Sequence, residues 1–357
     1  MGESRKRVQI VGATGYGGLG MTELLLRHPG IAIAGLLAKQ DAGRRVSDVY
    51  PHLRGFCDVV IGDASDETVG RDADLVVFAT PDGVGQAHAR RLVAAGVPML
   101  DYSGDFRFGT VADYDEYARR HPALGGRAHA CPELLAQGVY GVPELNRDRL
   151  SGARLVGNPG CFAVAMILGL APAAKLGLVE RDGIIVDGKS GSSGAGKKPS
   201  AAHHFPERNE NVTPYRIGSH QHAVEVEMTI AALAGGPLDL TFVPHLVPAT
   251  RGIVCTIYAQ LRQPAAPADV QAAYERFFAS EPFVRVLPAG VSPGTGAVLG
   301  SNLCDLSVTV TAGGRRLVVT ASIDNLVKGQ AGVALQNVNL MLGFPETTGL
   351  DRVPIYP

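Results

Sequence analysis

Residues 7–18 read "RVQIVGATGYGG", an apolar run that ends in glycines at positions 12, 15 and 18. An apolar helical pattern, "GGLGMTELLLRHP", follows at residues 17–29. A strand that turns through glycines into a helix is typical of a dinucleotide-binding unit, because glycine lets the backbone approach a pyrophosphate at the helix N-terminus. A tight turn without a ligand is the alternative. We expect cofactor contacts from Gly12, Thr14, Gly15, Tyr16, Gly17 and Gly18.

The rest of the first third of the chain continues the alternation of strand and helix patterns. Apolar, strand-like runs lie at residues 31–39, 73–81 and 97–106, and a helical pattern lies at residues 87–96. Such alternation predicts a parallel, doubly wound sheet of the Rossmann type, and hence an α/β protein.

The alternation of strand and helix patterns ends after residue 157. Segments 238–261 and 303–326 are long, rich in β-branched residues and interrupted by short glycine turns, which predicts an α+β domain with a mostly antiparallel sheet. We therefore expect a Rossmann domain at residues 1–157, completed by a C-terminal helix within 330–357. The catalytic, substrate-binding and oligomerisation domain is expected at residues 158–329.

The end of the second predicted strand indicates which dinucleotide is bound. NAD-binding proteins usually place an acidic residue there, whereas this chain has Lys39, Arg44 and Arg45 around a single Asp41. Cations suit the 2′-phosphate of NADP(H), so Lys39 and Arg44 are candidate cofactor ligands. Solvated surface charges are the alternative.

Bulk composition limits the partners of the protein. A length of 357 residues allows two domains, and the formal net charge of −1 gives no signal for binding nucleic acid. No apolar run reaches membrane-spanning length, so we expect no membrane partner. Five cysteines without a C-x-x-C pair predict reduced thiols in a cytoplasmic protein.

The segment "LVGNPGCFAVAMILGLAP", residues 155–172, places Cys161 after a rigid turn and at the start of an apolar helix. A helix N-terminus stabilises a thiolate, and its amides can hold an oxyanion. A buried, inert thiol is the alternative. A reactive thiolate beside a nicotinamide indicates attack on an acyl group followed by hydride transfer to the thioester.

Histidines and carboxylates are dense at residues 203–227, where His220 and His222 form an H-x-H pair. A metal is not expected, because no third ligand stands at a diagnostic spacing. A cysteine nucleophile does need a proton carrier, which histidine supplies near neutral pH. Arg107, Arg216 and Arg251 are candidates for gripping carboxylate or phosphate, with surface ion pairs as the alternative.

Residues 183–190, "GIIVDGKS", fit the letters of a P-loop, G-x-x-x-x-G-K-[ST]. The variable positions are Ile184, Ile185, Val186 and Asp187, which indicate a buried strand whose amides are used in a sheet ladder. The overlapping "GSSGAGKK" has Lys198 where Ser or Thr should hold Mg²⁺. We therefore predict a strand and a Gly/Ser loop, and no ATP site.

Together these motifs resemble the N-acetyl-γ-glutamyl-phosphate reductases, in the superfamily that includes aspartate-semialdehyde dehydrogenase. The resemblance runs nearly end to end. It rests on "GATGYGG", "PHLRG", "DYSGDFRF", "YGVPEL", "VGNPGCFA", "KSGSSGAG", "HHFPERNENVTPYRIGSHQH" and "VKGQAGVALQNVNLMLG". Three positions depart from the usual pattern of the family, namely Val164, Gln221 and Val224, where Thr, Arg and Pro are usual.

The resemblance implies roles for particular residues. Cys161 corresponds to the nucleophile and His220 to the acid/base, with His222 in reserve or in contact with substrate. Asn158 is a further implied substrate contact. Cofactor contacts are implied for Ser190, Gly191, Gly194, Ala195, Gly196 and Asn337.

The activity implied is NADPH-dependent reduction of N-acetyl-γ-glutamyl phosphate to its semialdehyde, through a Cys161 thioester, in arginine biosynthesis. The alternative substrate is a carrier-protein-bound aminoadipyl phosphate, used in lysine biosynthesis. A nucleotide-binding regulator without activity is an alternative of another class. A homo-oligomer, dimer or tetramer, is expected.

Overall fold

A computed structural model describes residues 5–356. The chain forms two compact units. Unit 1 contains the chain up to Arg119, with Gly126–Pro159 and Gln330–Asp351. Unit 2 contains Arg120–Gly125, Gly160–Gly329 and the chain from Arg352 onwards.

The strands and helices follow one another along the chain with these bounds. The strands are β1 (Lys6–Val11), β2 (Ile31–Leu37), β3 (Leu75–Phe78), β4 (Met99–Asp101), β5 (Val139–Tyr140), β6 (Leu155–Gly157), β7 (Ile184–Ser190), β8 (Thr213–Pro214), β9 (Leu240–Leu246), β10 (Ile253–Gln260), β11 (Val284–Val286), β12 (Cys304–Thr311) and β13 (Arg316–Ile323). The helices are α1 (Tyr16–Leu25), α2 (Val46–Val49), α3 (Val84–Ala94), α4 (Val111–Arg120), α5 (Pro143–Leu150), α6 (Cys161–Lys175), α7 (Phe205–Arg208), α8 (His222–Ala234), α9 (Pro267–Phe277) and α10 (Gly332–Leu342).

Unit 1 is built on a six-stranded parallel sheet in the order β2-β1-β3-β4-β6-β5. The central strands are apolar and buried, as expected where helices cover both faces of a parallel sheet. Helix α10, from the C-terminal part of the chain, packs against α1 and α5. The predicted Rossmann-type sheet is confirmed.

Unit 2 is built on a seven-stranded sheet in the order β11-β12-β13-β10-β7-β9-β8. The pairs β11–β12 and β7–β9 are parallel and the other neighbours are antiparallel, so the predicted mostly antiparallel sheet is confirmed. Buried residues alternate along β7 and β10, because one face of the sheet lies against the helices.

Helix α6 is the buried centre of unit 2. Its residues from Phe162 to Ala174 are all buried, so apolar side chains occur on every side of the helix. Gly169 allows close approach to β10, because a Cβ there would lie 2.4 Å from Cδ1 of Ile257. The core of the unit therefore fixes the helix whose first residue is Cys161.

No helix within residues 5–356 is both long enough and apolar enough to cross a membrane.

Candidate active site

The glycine loop of unit 1 has the geometry of a phosphate cradle. Gly12 has φ +85°, and a Cβ there would lie 2.3 Å from the carbonyl oxygen of Ala79. A Cβ on Gly18 would lie 2.3 Å from the carbonyl oxygen of Gly12. Gly15 is extended and is followed by α1, whose first amides have no partners within the helix. The loop therefore fits a pyrophosphate group.

Gln330 and Tyr102, which also belong to unit 1, lie next to this loop. A Cβ on Gly17 would lie 3.0 Å from Nε2 of Gln330 and 3.1 Å from Cδ2 of Tyr102. Within the described residues, Oε1 of Gln330 and the hydroxyl of Tyr102 are buried without a hydrogen-bond partner. Burial also raises the pKa of Tyr102. Neither residue is predicted from its sequence pattern, and their orphaned polar atoms suit a polar ligand at the loop.

The cations after β2 lie on an exposed loop. Nη1 of Arg44 lies 2.6 Å from Oδ1 of Asp41, a residue with φ +67°. Lys39 is exposed. A surface ion pair contributes only about 0–1 kcal/mol of stability. Breaking the Arg44–Asp41 pair so that Arg44 can bind a phosphate would therefore cost little free energy.

Asn158 lies in the turn that precedes Cys161, residues 157–160, and makes four hydrogen bonds within unit 1. Its amide donates to the Asp101 carbonyl (2.7 Å), and its carbonyl accepts from Nε of Arg107 (2.7 Å). Its side chain donates to the Gln330 carbonyl (3.2 Å) and accepts from Nδ2 of Asn337 (3.1 Å). The structure thus brings three predicted ligand-binding residues together and bonds them to one another.

Within unit 2, Gly160 and Cys161 are contacted by residues from distant parts of the chain. Cys161 is half-buried and is the first residue of α6. The Gly160 amide donates to Oε2 of Glu225 (2.9 Å), whose side chain is fully buried. The His222 ring fills the space beside Gly160, where a Cβ would lie 2.5 Å from Nε2. A Cβ on Gly329 would lie 2.8 Å from Cβ of Cys161.

Glu225 and Gly329 were not assigned from the sequence. Glu225 had one local signal, since it lies three residues after His222 and therefore on the same helix face. Gly329 had none, because its contact with Cys161 joins distant parts of the chain. Both residues define where the thiol stands at the helix N-terminus, a place that favours the thiolate.

His220 is only 4% exposed and lies in an aromatic cage. Its pKa is lowered to about 3, chiefly by burial and in addition by charge repulsion from Arg216 and His121. Nδ1 of His220 accepts the backbone N–H of His222 at 3.1 Å. Its ring lies edge-on to those of His222, Phe242, Tyr215 and Phe162, with centroids 4.7, 5.3, 5.7 and 5.9 Å away.

Tyr215 is another residue that the sequence analysis missed. Burial raises its pKa, and the nearby Cys161 raises it further. Its amide donates to the Pro244 carbonyl at 2.9 Å, which ties the loop after β8 to β9. The thiol and both histidines therefore belong to one cluster within unit 2.

The two predicted anion-binding arginines of unit 2 are also placed by protein contacts. Arg216 has φ +48°, a strained backbone for a residue with a side chain, and donates to the Ser219 carbonyl at 3.4 Å. Nη2 of Arg251 lies 2.9 Å from Oδ2 of the buried Asp324. The roles of both arginines in substrate binding stay predictions.

The residues with P-loop letters form the strand that was predicted. Residues Ile184–Ser190 are β7, which pairs with β10 on one side and β9 on the other. The next amides, of Gly191, Ser192 and Ser193, donate to carbonyls in the 249–252 segment at 2.9–3.0 Å. These N–H groups are therefore already used by the protein. The implied contacts of Ser190, Gly191, Gly194, Ala195 and Gly196 with a cofactor stay predictions.

Within residues 5–356, no group of three His, Cys, Asp or Glu side chains stands in a metal-binding arrangement. All five cysteines lie in this described part, and none is in a disulfide bond.

Two family models match consecutive parts of the chain. The NAD-binding domain of semialdehyde dehydrogenases matches residues 7–153, and their dimerisation domain matches residues 161–325. Proteins named N-acetyl-gamma-glutamyl-phosphate reductase are similar over nearly the whole length. That of Symbiobacterium thermophilum is 45% identical over 98% of this chain and 99% of its own. That of Geobacter sp. strain M21 is 43% identical over the same shares.

Solved structures show the same fold at lower identity. Aspartate semialdehyde dehydrogenase II of Vibrio cholerae has a TM-score of 0.72 and 17% identity, covering 95% of this chain and 99% of its own. The Candida albicans aspartate semialdehyde dehydrogenase, solved with NADP, has a TM-score of 0.67 and 16% identity over the same shares.

Proposed function

The chain belongs to the family of N-acetyl-γ-glutamyl-phosphate reductases, and on that premise we propose that Cys161 is its catalytic nucleophile. The enzyme is an NADP-dependent phosphorylating reductase of arginine biosynthesis that converts N-acetyl-γ-glutamyl phosphate to N-acetylglutamate semialdehyde. The names of the relatives support this substrate and not the carrier-bound aminoadipyl phosphate.

The observation that carries the role of Cys161 is its position at the start of α6, on a turn held by Glu225 and His222. The sulfur attacks the acyl carbon, the carbon–oxygen bond to phosphate breaks, and a thioester forms on Cys161. Bound NADPH supplies the hydride. Hydride addition to the thioester gives the alkoxide of a hemithioacetal, and its collapse breaks the carbon–sulfur bond, releases the aldehyde and returns the thiolate of Cys161.

The cofactor site is supported by the glycine loop of unit 1. Gly12, Gly15 and Gly18 give a cradle that side chains would fill, and the N-terminus of α1 supplies amides for the pyrophosphate. Lys39 and Arg44 would hold the 2′-phosphate, which distinguishes NADP(H) from NAD(H).

The proposal is tested by running the reaction backward. Purified protein receives N-acetylglutamate semialdehyde, NADP⁺ and phosphate, and NADPH absorbance is followed. We expect phosphate-dependent absorbance that Cys161→Ser abolishes. Cys57→Ser, a substitution of a buried thiol in unit 1, is the matched control and should keep the activity. Equal activity in Cys161→Ser and Cys57→Ser would refute the role of Cys161.

We also propose that the enzyme works in the cytoplasm as a homo-oligomer, a dimer or tetramer, without nucleic-acid or membrane partners. A family model described as a dimerisation domain supports self-association. Five cysteines without a disulfide suit a reducing compartment. Analytical ultracentrifugation tests the assembly, and a monomer at micromolar concentration would contradict it.

A further inference from the structure

Asp324 is a fully buried carboxylate that joins several backbone segments of unit 2. It follows directly on β13, and its exposed fraction is 0%. Its Oδ2 accepts the Gly300 amide at 2.7 Å, and its Oδ1 accepts the amides of Leu326 and Val327 at 2.9 and 3.2 Å. A carboxylate removed from water needs donors of this kind or an opposite charge. Both of its oxygens are therefore held by the protein.

The turn that follows Asp324 contacts the thiol-bearing residue. The Gly329 amide donates to the Asp324 carbonyl at 3.0 Å, so the turn of residues 324–329 is bonded to both the backbone and the side chain of this aspartate. Gly329 packs against Cys161, because a Cβ there would lie 2.8 Å from Cβ and 3.2 Å from Cα of the cysteine. A displacement of Asp324 would therefore move the atoms against which Cys161 rests.

On its other side, Asp324 is paired with Arg251. Nη2 of Arg251 lies 2.9 Å from Oδ2 and 3.1 Å from Oδ1 of the carboxylate. The arginine side chain is 35% exposed, and its buried Nε has no hydrogen-bond partner within residues 5–356. A guanidinium has five N–H groups, so Arg251 can neutralise Asp324 and still donate to an anion.

Asn325, the next residue, bonds the Arg251 segment to the Gly/Ser loop after β7. Its Oδ1 accepts the Gly252 amide at 2.7 Å, and its Nδ2 donates to Oγ of Ser193 at 3.0 Å. Asp324 and Asn325 thus connect the thiol to both of these segments, for which ligand contacts are predicted.

We propose that Asp324 is a positioning residue for the reaction, which holds Gly329 against Cys161 and so keeps the sulfur at the N-terminus of α6. The inference rests on the proposed role of Cys161 as the nucleophile. Asp324 acts through the turn at residues 326–329, and the charge of Arg251 offsets the cost of burying it. A purely structural ion pair is the alternative, in which loss of the carboxylate would lower stability alone.

Asp324→Asn tests the proposal, because it removes the charge and one acceptor oxygen and keeps the size of the side chain. Asp305→Asn is the matched control, since Asp305 is 1% exposed and its Oδ1 lies 2.6 Å from Nε of Arg285 in the same unit. Both variants should lose stability in thermal unfolding. Only Asp324→Asn should lower kcat of the backward reaction, by roughly 10- to 100-fold, because a misplacement of about 1 Å can cost on the order of 10²-fold in rate. KM for NADP⁺ should keep its wild-type value in both.

The rate at which iodoacetamide alkylates Cys161 separates position from charge. In Asp324→Asn this rate, followed by mass spectrometry of the Cys161 peptide, should fall by roughly two- to fivefold, because a thiol displaced from the helix N-terminus forms less thiolate. Loss of a negative charge alone would instead favour the thiolate and speed alkylation. Alkylation at or above the wild-type rate in Asp324→Asn would overturn the proposal, and so would equal kcat in Asp324→Asn and Asp305→Asn.

Hydrogen exchange in the wild-type protein keeps the proposal testable even where Asp324→Asn does not fold. Peptides that cover residues 324–329 should exchange slowly, since the amides of Leu326, Val327 and Gly329 are bonded to Asp324. Exchange of these amides as fast as in an open loop would overturn the proposal. Alkylation and exchange need neither substrate nor NADP(H), so their failure is distinguishable from failure of the proposed reaction.

Discussion

Gly329→Ala should move the thiol without changing any chemical group of the site. Gly329 has no positive φ, so alanine meets no backbone penalty there. The new Cβ would lie 2.8 Å from Cβ of Cys161, about 0.6 Å closer than the 3.4 Å at which ordinary contact begins. Overpacking of this kind costs roughly 1–3 kcal/mol of stability.

The expected kinetic effect follows from the displacement. A misplacement of about 1 Å can cost on the order of 10²-fold in rate, so a shift of about 0.6 Å should lower kcat/KM by roughly 10- to 100-fold. The rate at which iodoacetamide alkylates Cys161 should change as well, because the sulfur leaves its place at the start of α6.

The assay compares kcat/KM, alkylation rate and thermal unfolding in Gly329→Ala and Gly294→Ala. Gly294 is the matched control, because a Cβ there meets nothing within 4 Å and its φ is not positive. Wild-type values of kcat/KM and alkylation rate in Gly329→Ala would show that the contact with Cys161 does not place the thiol, and would refute the reasoning.

Three further predictions concern the buried carboxylate, the cofactor and pH. Glu225→Leu leaves the buried Gly160 amide without its acceptor, so the free energy of unfolding should fall by about 1–3 kcal/mol. Glu225→Gln keeps an acceptor for this amide and should lose less. Chemical denaturation measures both free energies, and equal losses would contradict the role of this bond. Arg44→Ala and Lys39→Ala should raise KM for NADPH by roughly 10- to 100-fold and leave KM for NADH unchanged; parallel changes for both cofactors would place the 2′-phosphate elsewhere. The pKa of His220 is about 3 in the folded protein and 6.5 in the unfolded chain. Between about pH 3 and pH 6.5 the unfolded chain therefore binds one proton more than the folded protein. The free energy of unfolding consequently falls as the pH falls through this range. Between about pH 4 and pH 6 the unfolding free energy of the wild type should change by about 1.4 kcal/mol per pH unit more than that of His220→Gln, and identical slopes would argue against a buried neutral ring.

The features that sequence predicts well are those in which local residues determine local structure. The glycine turn after β1 and the helix that begins at Cys161 are each encoded by fewer than about twenty consecutive residues, so pattern and spacing suffice. The same holds for β7, where apolar residues at P-loop positions indicate a strand.

The remainder depends on contacts between distant segments or on orientation within the site. Glu225 meets Gly160 across 65 positions, and no periodicity encodes that bond. The residue type of His220 suggests a proton carrier, but the bond to the amide of His222 and the aromatic cage set the state of the ring. Residue types indicate what chemistry is available, and packing selects which part of it is used.

The four bonds of Asn158 also have a consequence for the chemical ageing of the protein. Asparagine commonly turns into aspartate when the backbone nitrogen of the next residue attacks the side-chain amide. Deamidation at Asn158 would put a negative oxygen against the Gln330 carbonyl, where an N–H now donates. The next residue is Pro159, whose nitrogen has no hydrogen and cannot form the succinimide ring, while the flexible glycine that would favour the reaction stands one position later. The order Asn-Pro-Gly therefore closes the succinimide route to deamidation of Asn158.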